Sequence, residues 1–296
     1  MKIAKEKNIN FLFEASVGGG IPILRPLHSS LTGDEIEEIT GILNGTTNYM
    51  MTKMFYEGAD YDEVLKEAQD NGYAERNPEA DVEGHDACRK IAILSSIISG
   101  KQVDYEDIYC EGITKITVED MKYAKAMKMT IKLLASCKRD GKKLNAMVSP
   151  CLLKNDHPLF HVDDVFNAIF VHGNMLGDSM FYGSGAGKLP TASAVVGDIV
   201  EEAKNLDRNL GVMWSGEKLE LENKDDVKRR FFVRMKGEAD QMLHALTEKF
   251  GNVEIIKPDR ITGEFGFITD VMPEGAYEEK AKAFEDSILS MIRVEE

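Results

Sequence analysis

The chain has 296 residues and a mass of 33.0 kDa, with 43% hydrophobic and 29% charged residues, the composition of a globular protein able to bury one large core and a smaller one. Its 36 Lys plus Arg against 51 Asp plus Glu leave a formal net charge of −15, which repels phosphate backbones and anionic lipid, so neither a nucleic-acid partner nor a membrane partner is expected. No apolar run approaches the roughly 18 residues of a membrane span, the four cysteines Cys88, Cys110, Cys137 and Cys151 form no CxxC pair, and MKIAKEKNIN leads into no apolar leader, so a reduced, cytoplasmic protein is expected.

In chain order, residues 9–17 (INFLFEASV) read as a buried strand broken by Gly18, Gly19, Gly20 and Pro22. From Asp34 to about Glu57 the spacing of Ile36, Ile39, Ile42 and Leu43 predicts a helical stripe, interrupted by a functional turn at LNGTTN, residues 43–48. A short helix over 61–70 closes at Asn71 and Gly72, a longer one over 83–99 ends at Gly100, and the polar loop GYAERNPEADVEG lies between them. Thr117, three residues before Asp120, predicts a capped helix, and strands follow near 131–137, 144–153, 166–171 and 178–182. Residues 183–206 are a glycine turn running into a helix with Pro190 in its first turn, and 214–227 are a polar linker. The tail predicts strand 230–235, helix 239–250, strand 253–256, strand 263–271 and helix 278–292, most of a ferredoxin-like unit with only a stub, 294–296, for a last strand. The fold class expected is α+β, a mixed-sheet domain followed by this unit.

Asp86 and Lys90 stand i, i+4 at the start of the second helix and share a face, with Glu75 and Asp81 in the loop that feeds it. A lysine held between carboxylates keeps its proton and can donate it to an oxygen that becomes negative, while spare carboxylates bind an ammonium group. Spacing alone fits an ordinary solvated ion pair as well. The Gly183–Gly187 turn leaves free amides at a helix start, yet matches neither GxGxxG nor a P-loop. The histidines show no HxxxH or HExxH pattern and there is no GxSxG elbow, so metal hydrolysis and acyl transfer have no support.

Four blocks taken together, FEASVGGGIPIL at 13–24, GILNGTTNYMMTKM at 41–54, AQDNGYAERNPEADVEGHDACRKIAIL at 68–94 and GSGAGKLPTASAVVGD at 183–198, resemble homoserine dehydrogenase, and the tail resembles an ACT regulatory module. The resemblance implies hydride transfer between NADP or NAD and an amino-acid substrate, the interconversion of L-homoserine and L-aspartate 4-semialdehyde. It places the proton-donating lysine at Lys90, substrate carboxylates at Glu75, Asp81 and Asp86, and a nicotinamide-contacting glycine at Gly185. It also implies a monovalent cation at the backbone oxygens of Glu14, Val17, Gly19 and Ile21.

The expected organisation is a catalytic and dimerisation domain over 1–213, a linker over 214–227 and the ACT-like domain over 228–296, in a homo-oligomer with an amino-acid effector. Family members open with a dinucleotide-binding domain carrying GxGxxG, and the expectation is that this chain lacks it and is inactive alone. The rival reading is a noncatalytic dimerisation or amino-acid-sensing module.

Overall fold

A computed structural model describes residues 2–206, 208–210, 214–259 and 261–295. In chain order they form helix α1 (Lys2–Lys7), strand β1 (Ile36–Ile42), helices α2 (Gly45–Glu57), α3 (Tyr61–Asp70), α4 (Glu79–Val82) and α5 (His85–Ser99), the short strand β2 (Tyr109–Cys110) and helix α6 (Val118–Ala126). Strands β3 (Met129–Asp140), β4 (Lys143–Lys154), β5 (Phe166–Gly173) and β6 (Gly177–Ser184) then lead to helix α7 (Lys188–Lys204). The C-terminal part adds β7 (Lys228–Lys236), α8 (Ala239–Phe250), β8 (Val253–Ile256), β9 (Glu264–Thr269), β10 (Met272–Pro273), α9 (Glu274–Ala281) and β11 (Ile288–Val294).

The result is a mixed α+β body with a C-terminal β-α-β-β-α-β unit, joined through one sheet of order β6-β5-β1-β3-β4-β11-β7-β9-β8. The hairpin β3–β4 is its spine, paired without a break from Met129↔Lys154 to Asp140↔Lys143. Both strands are buried on both faces over most of their length, which is why they read as near-continuous apolar runs rather than alternating ones. One face carries α2, α5 and α6; a second cluster including Ile42, Leu134, Leu153, Leu159 and Phe170 fills the other. The C-terminal unit has its own core around Phe231, Val233, Leu246, Phe250, Phe267 and Tyr277.

Three expectations are corrected. Residues 9–17 form no strand; the only regular element there is a single 3-10 turn, Glu14–Ser16, because the buried Glu14 carboxylate accepts the amides of Ile23, Leu24 and Arg25 at 2.6, 2.8 and 2.8 Å and bends the segment back. The stripe Ile36, Ile39, Ile42 is β1 and not helix, since these β-branched residues find partners on both edges, β3 and β5. Helix begins only at Gly45, where Asn44 caps α2 by accepting the Thr47 amide.

The third correction lies in the tail. The helix expected over 278–292 ends at Ala281, and Ile288–Val294 is a full strand between β7 and β4. A slot with a partner on each side outweighs the helical spacing of that segment, and the expected stub becomes the strand that joins the unit to the body. Arg293 of β11, 2% exposed, clamps the join with bonds to Glu274 at 2.5 and 3.1 Å and to Glu111 at 2.6 Å. Residues 214–227 lie against the body through Leu219 N–H to Gln102 O and Glu222 N–H to Leu144 O, both 2.8 Å. Glu296 of the expected stub and residue 213, the expected end of the first domain, lie outside the described residues.

Candidate active site

Where β1 passes into α2, the chain turns at Leu43 and Asn44 and presents a backbone carbonyl and a side-chain amide to the start of α5. Asn44 uses both ends of its amide. Oδ1 caps α2, and Nδ2 donates to Asp81 Oδ1 at 2.7 Å and to Asp86 Oδ2 at 3.0 Å. Asp81 rides on α4 and Asp86 sits in the first turn of α5, where the helix dipole favours an anion. Lys90, one turn further along α5, donates to Asp86 Oδ2 at 2.6 Å and to Leu43 O at 2.9 Å. Asp86 Oδ2 is therefore shared between a lysine and an amide, which fixes the lysine's direction.

These groups line a cavity of about 730 Å³ whose opposite wall is Asn167 and the loop Ser184–Gly187. Glu75, Asp81, Asp86, Lys90 and Gly185, expected from the sequence, all border it, together with Asn44 and Arg89. Three carboxylates face two cations, which leaves one formal negative charge for an incoming ammonium. Burial raises Asp81 above its usual carboxylate range, Asp86 and Glu75 push it the same way, and the Asn44 hydrogen bond and Lys90 oppose the rise.

The glycines of the far wall are there for space. A Cβ on Gly185 would lie 2.1 Å from Asn167 Nδ2, and one on Gly19 would lie 2.1 Å from Gly185 O. The triplet Gly18–Gly20 thus meets the 183–187 loop backbone to backbone, held by Gly20 N–H to Ser184 O at 3.1 Å. Glu14, Val17, Gly19 and Ile21 belong to the buried turn behind that loop and do not border the cavity. Among the described residues, no cluster of three or more His, Cys, Asp or Glu is placed to hold a metal ion, and no helix is long and apolar enough to cross a membrane.

Asn44, Arg89 and Asn167 border the site and escaped the sequence reading. Asn44 falls in the LNGTTN turn, expected to be functional but with no residue singled out. Asn167 sits at the start of β5, where nothing in its neighbours marks it.

Comparison with known proteins places this geometry. A family model described as "Homoserine dehydrogenase" matches residues 22–200. The Bacillus subtilis homoserine dehydrogenase is 50% identical over 209 residues, 71% of this chain and 48% of that protein. The crystal structure of a homoserine dehydrogenase from Thiobacillus denitrificans superposes with a TM-score of 0.90 at 33% identity, over 100% of this chain and 72% of that one. A hyperthermophilic archaeal homoserine dehydrogenase, solved in complex with NADPH, superposes with a TM-score of 0.61 at 32% identity, over 71% of this chain and 60% of that one. The chain spans about half the length of the first curated relatives it matches.

The expectation that defined the chain by a missing dinucleotide-binding domain is corrected by these matches, which are to homoserine dehydrogenases and run along the chain itself. The likeness to the Thiobacillus structure runs through 100% of the chain, C-terminal unit included, so every described element has its counterpart in one homoserine dehydrogenase. With a family model over residues 22–200 and a structural match along its full length, the chain belongs to the homoserine dehydrogenase family.

Proposed function

We propose that the protein catalyses the NAD(P)-dependent interconversion of L-homoserine and L-aspartate 4-semialdehyde in threonine and methionine biosynthesis. The observation that carries this reading is Lys90, held by Asp86 and the Leu43 carbonyl on a cavity wall that faces the glycine loop at Gly185. When bound, the nicotinamide supplies or accepts the hydride. The site suits its flat ring: Gly185 has no Cβ, and the buried amide of Asn167 stands behind it with an oxygen that has no hydrogen-bond partner among the described residues.

The remaining work falls to this chain's residues. An ammonium has three N–H donors, and Lys90 spends two on Asp86 and Leu43 O among the described residues, which leaves one for the substrate oxygen. In the reducing direction that proton goes to the oxygen as the aldehyde carbon gains hydride; in the oxidising direction the substrate hydroxyl returns it. Glu75, Asp81 and Asp86 hold the substrate ammonium, which also offsets the Asp86 and Glu75 repulsion that adds to the burial raising Asp81.

Residues 1–213 would then form the catalytic and dimerisation domain, 214–227 the linker and 228–296 an ACT-like regulatory domain with an amino-acid effector. Self-association is supported by edge strand β6 with Met180 and Tyr182 at 44% and 53% exposure, and by α7 with Leu189 and Ile199 at 83% and 62%. A cytoplasmic setting agrees with four free cysteines. The monovalent cation belongs to the same reading: Gly18 and Gly19 take φ of +73° and +56°, turning a segment in which Glu14, Val17, Gly19 and Ile21 offer hard backbone oxygens. Such an ion would brace the turn behind Gly185, and no step passes through it.

The test is the purified protein with L-homoserine and NAD⁺ or NADP⁺, followed by the absorbance of the reduced cofactor. Homoserine-dependent reduction supports the reading. Amino-acid binding without any reduction would replace it with the noncatalytic sensing module.

A further inference from the structure

Asn167 has no part in the proton or charge chemistry of the cavity, yet it is built into the wall with unusual constraint. It is 1% exposed, and its Oδ1 is buried with no hydrogen-bond partner among the described residues. An orphaned buried carbonyl of this kind is costly to the fold, and cavity walls are where such a group finds its partner in a ligand. Two glycines from separate segments make room for it. A Cβ on Gly45 would lie 3.4 Å from Oδ1, and one on Gly185 would lie 2.7 Å from the same atom.

The amide is also held still. Asn167 pairs with Gly183 across β5 and β6, next to the glycine loop. The turn before it is pinned from two sides: Asn48 Nδ2 donates to Val162 O and Phe166 O, both at 3.0 Å, and Lys132 Nζ donates to Val162 O at 2.6 Å. A fixed, neutral acceptor opposite a wall of carboxylates suits an uncharged N–H or O–H, since an ammonium is better served across the cavity.

We infer that Asn167 is a ligand-binding residue whose Oδ1 accepts a hydrogen bond from an uncharged donor of the bound reactants, lying against Gly185 and Gly45. The inference rests on the homoserine dehydrogenase reading, under which two donors fit: the carboxamide N–H of the nicotinamide and the hydroxyl of homoserine.

Calorimetric binding to the full chain separates them. One pair of probes is NADPH against its reduced 3-acetylpyridine analogue, in which a methyl replaces the amide nitrogen; the other is homoserine against 2-aminobutyrate, which lacks the hydroxyl. The parent protein should prefer the donor-bearing member of one pair by about tenfold, or 1.4 kcal/mol. Asn167→Leu should bind both members of that pair alike, and Asn167→Asp, which keeps an acceptor oxygen, should retain the preference. If Asn167→Leu does not fold, Asn167→Ala takes its place with the same readout. A parent that discriminates in neither pair, or a Leu or Ala variant that discriminates as the parent does, overturns the inference alone. A parent that binds neither homoserine nor NADPH overturns the reading on which it rests, and the inference with it.

Discussion

Two lysines bond to residues 43–48 around the start of α2, and their surroundings differ in the one respect that separates chemistry from architecture. Lys132, on β3, is 1% exposed, and its three donors are all taken, by Val162 O at 2.6 Å, Asp163 at 2.9 Å and Asn48 at 3.2 Å. Lys90, on α5, is 19% exposed and makes two bonds among the described residues, to Asp86 and to Leu43 O. Burial lowers the Lys132 ammonium, and Asp163 pulls it back. A saturated cation braces the turn that carries Val165 and Asn167, while a cation with a spare donor has something left to give. The same residue type, bonded at two points of the segment 43–48, is thus a strut in one place and, under the proposed chemistry, a reagent in the other.

The comparison breaks most visibly if each lysine is removed in turn. Under the proposed chemistry, Lys90→Ala should lower turnover of homoserine by about 10²–10⁴ with little change in melting temperature, because the proton is lost and the fold is not. Lys132→Ala should do the reverse, costing about 3–5 kcal/mol of stability in urea unfolding, since Asp163 and the Val162 carbonyl are left without their cation.

Smaller effects sharpen the carboxylate side. Glu75→Gln should raise the Michaelis constant for homoserine by about tenfold with turnover nearly kept, the loss of one charge-assisted hydrogen bond to an ammonium in ground and transition states alike. The smallest effect is at Asp81. Its raised folded-state pKa means the folded protein holds this proton more tightly than the unfolded chain, so ionised Asp81 weakens the fold as pH rises from the unfolded value of about 3.9 through the folded one. Asp81→Asn should therefore move the urea midpoint up at neutral pH, an advantage that vanishes as pH falls below that unfolded value. A midpoint gain at the acid end that equals the gain at neutral pH would remove the electrostatic account of Asp81.

Legibility followed the reach of each signal. Local rules located the capping box at Thr117 and Asp120, the glycine stop at Gly100 and helix 239–250, because each is decided within one or two turns of chain. The Asp86–Lys90 pair was legible for the same reason: i, i+4 geometry is local. Segments decided by distant partners were not. Ile36–Ile42 has a spacing that fits a helix face, and only β3 and β5 on its two sides make it a strand. Ile288–Val294 likewise becomes a strand because the sheet offers a slot between β7 and β4. Asn167 could not be found at all, since its meaning lies in an empty bond and in two glycines 122 and 18 residues away in sequence.

The most direct test of the contrast between the two lysines is reductive methylation of the native protein, read by peptide mass spectrometry with and without homoserine. Lys90 should be modified in the folded protein and protected by homoserine, while Lys132 stays unmodified until the protein is unfolded. Methylation of Lys132 at the rate of Lys90, or a Lys90 rate that homoserine leaves unchanged, would contradict the division of strut from reagent on which this account of the site stands.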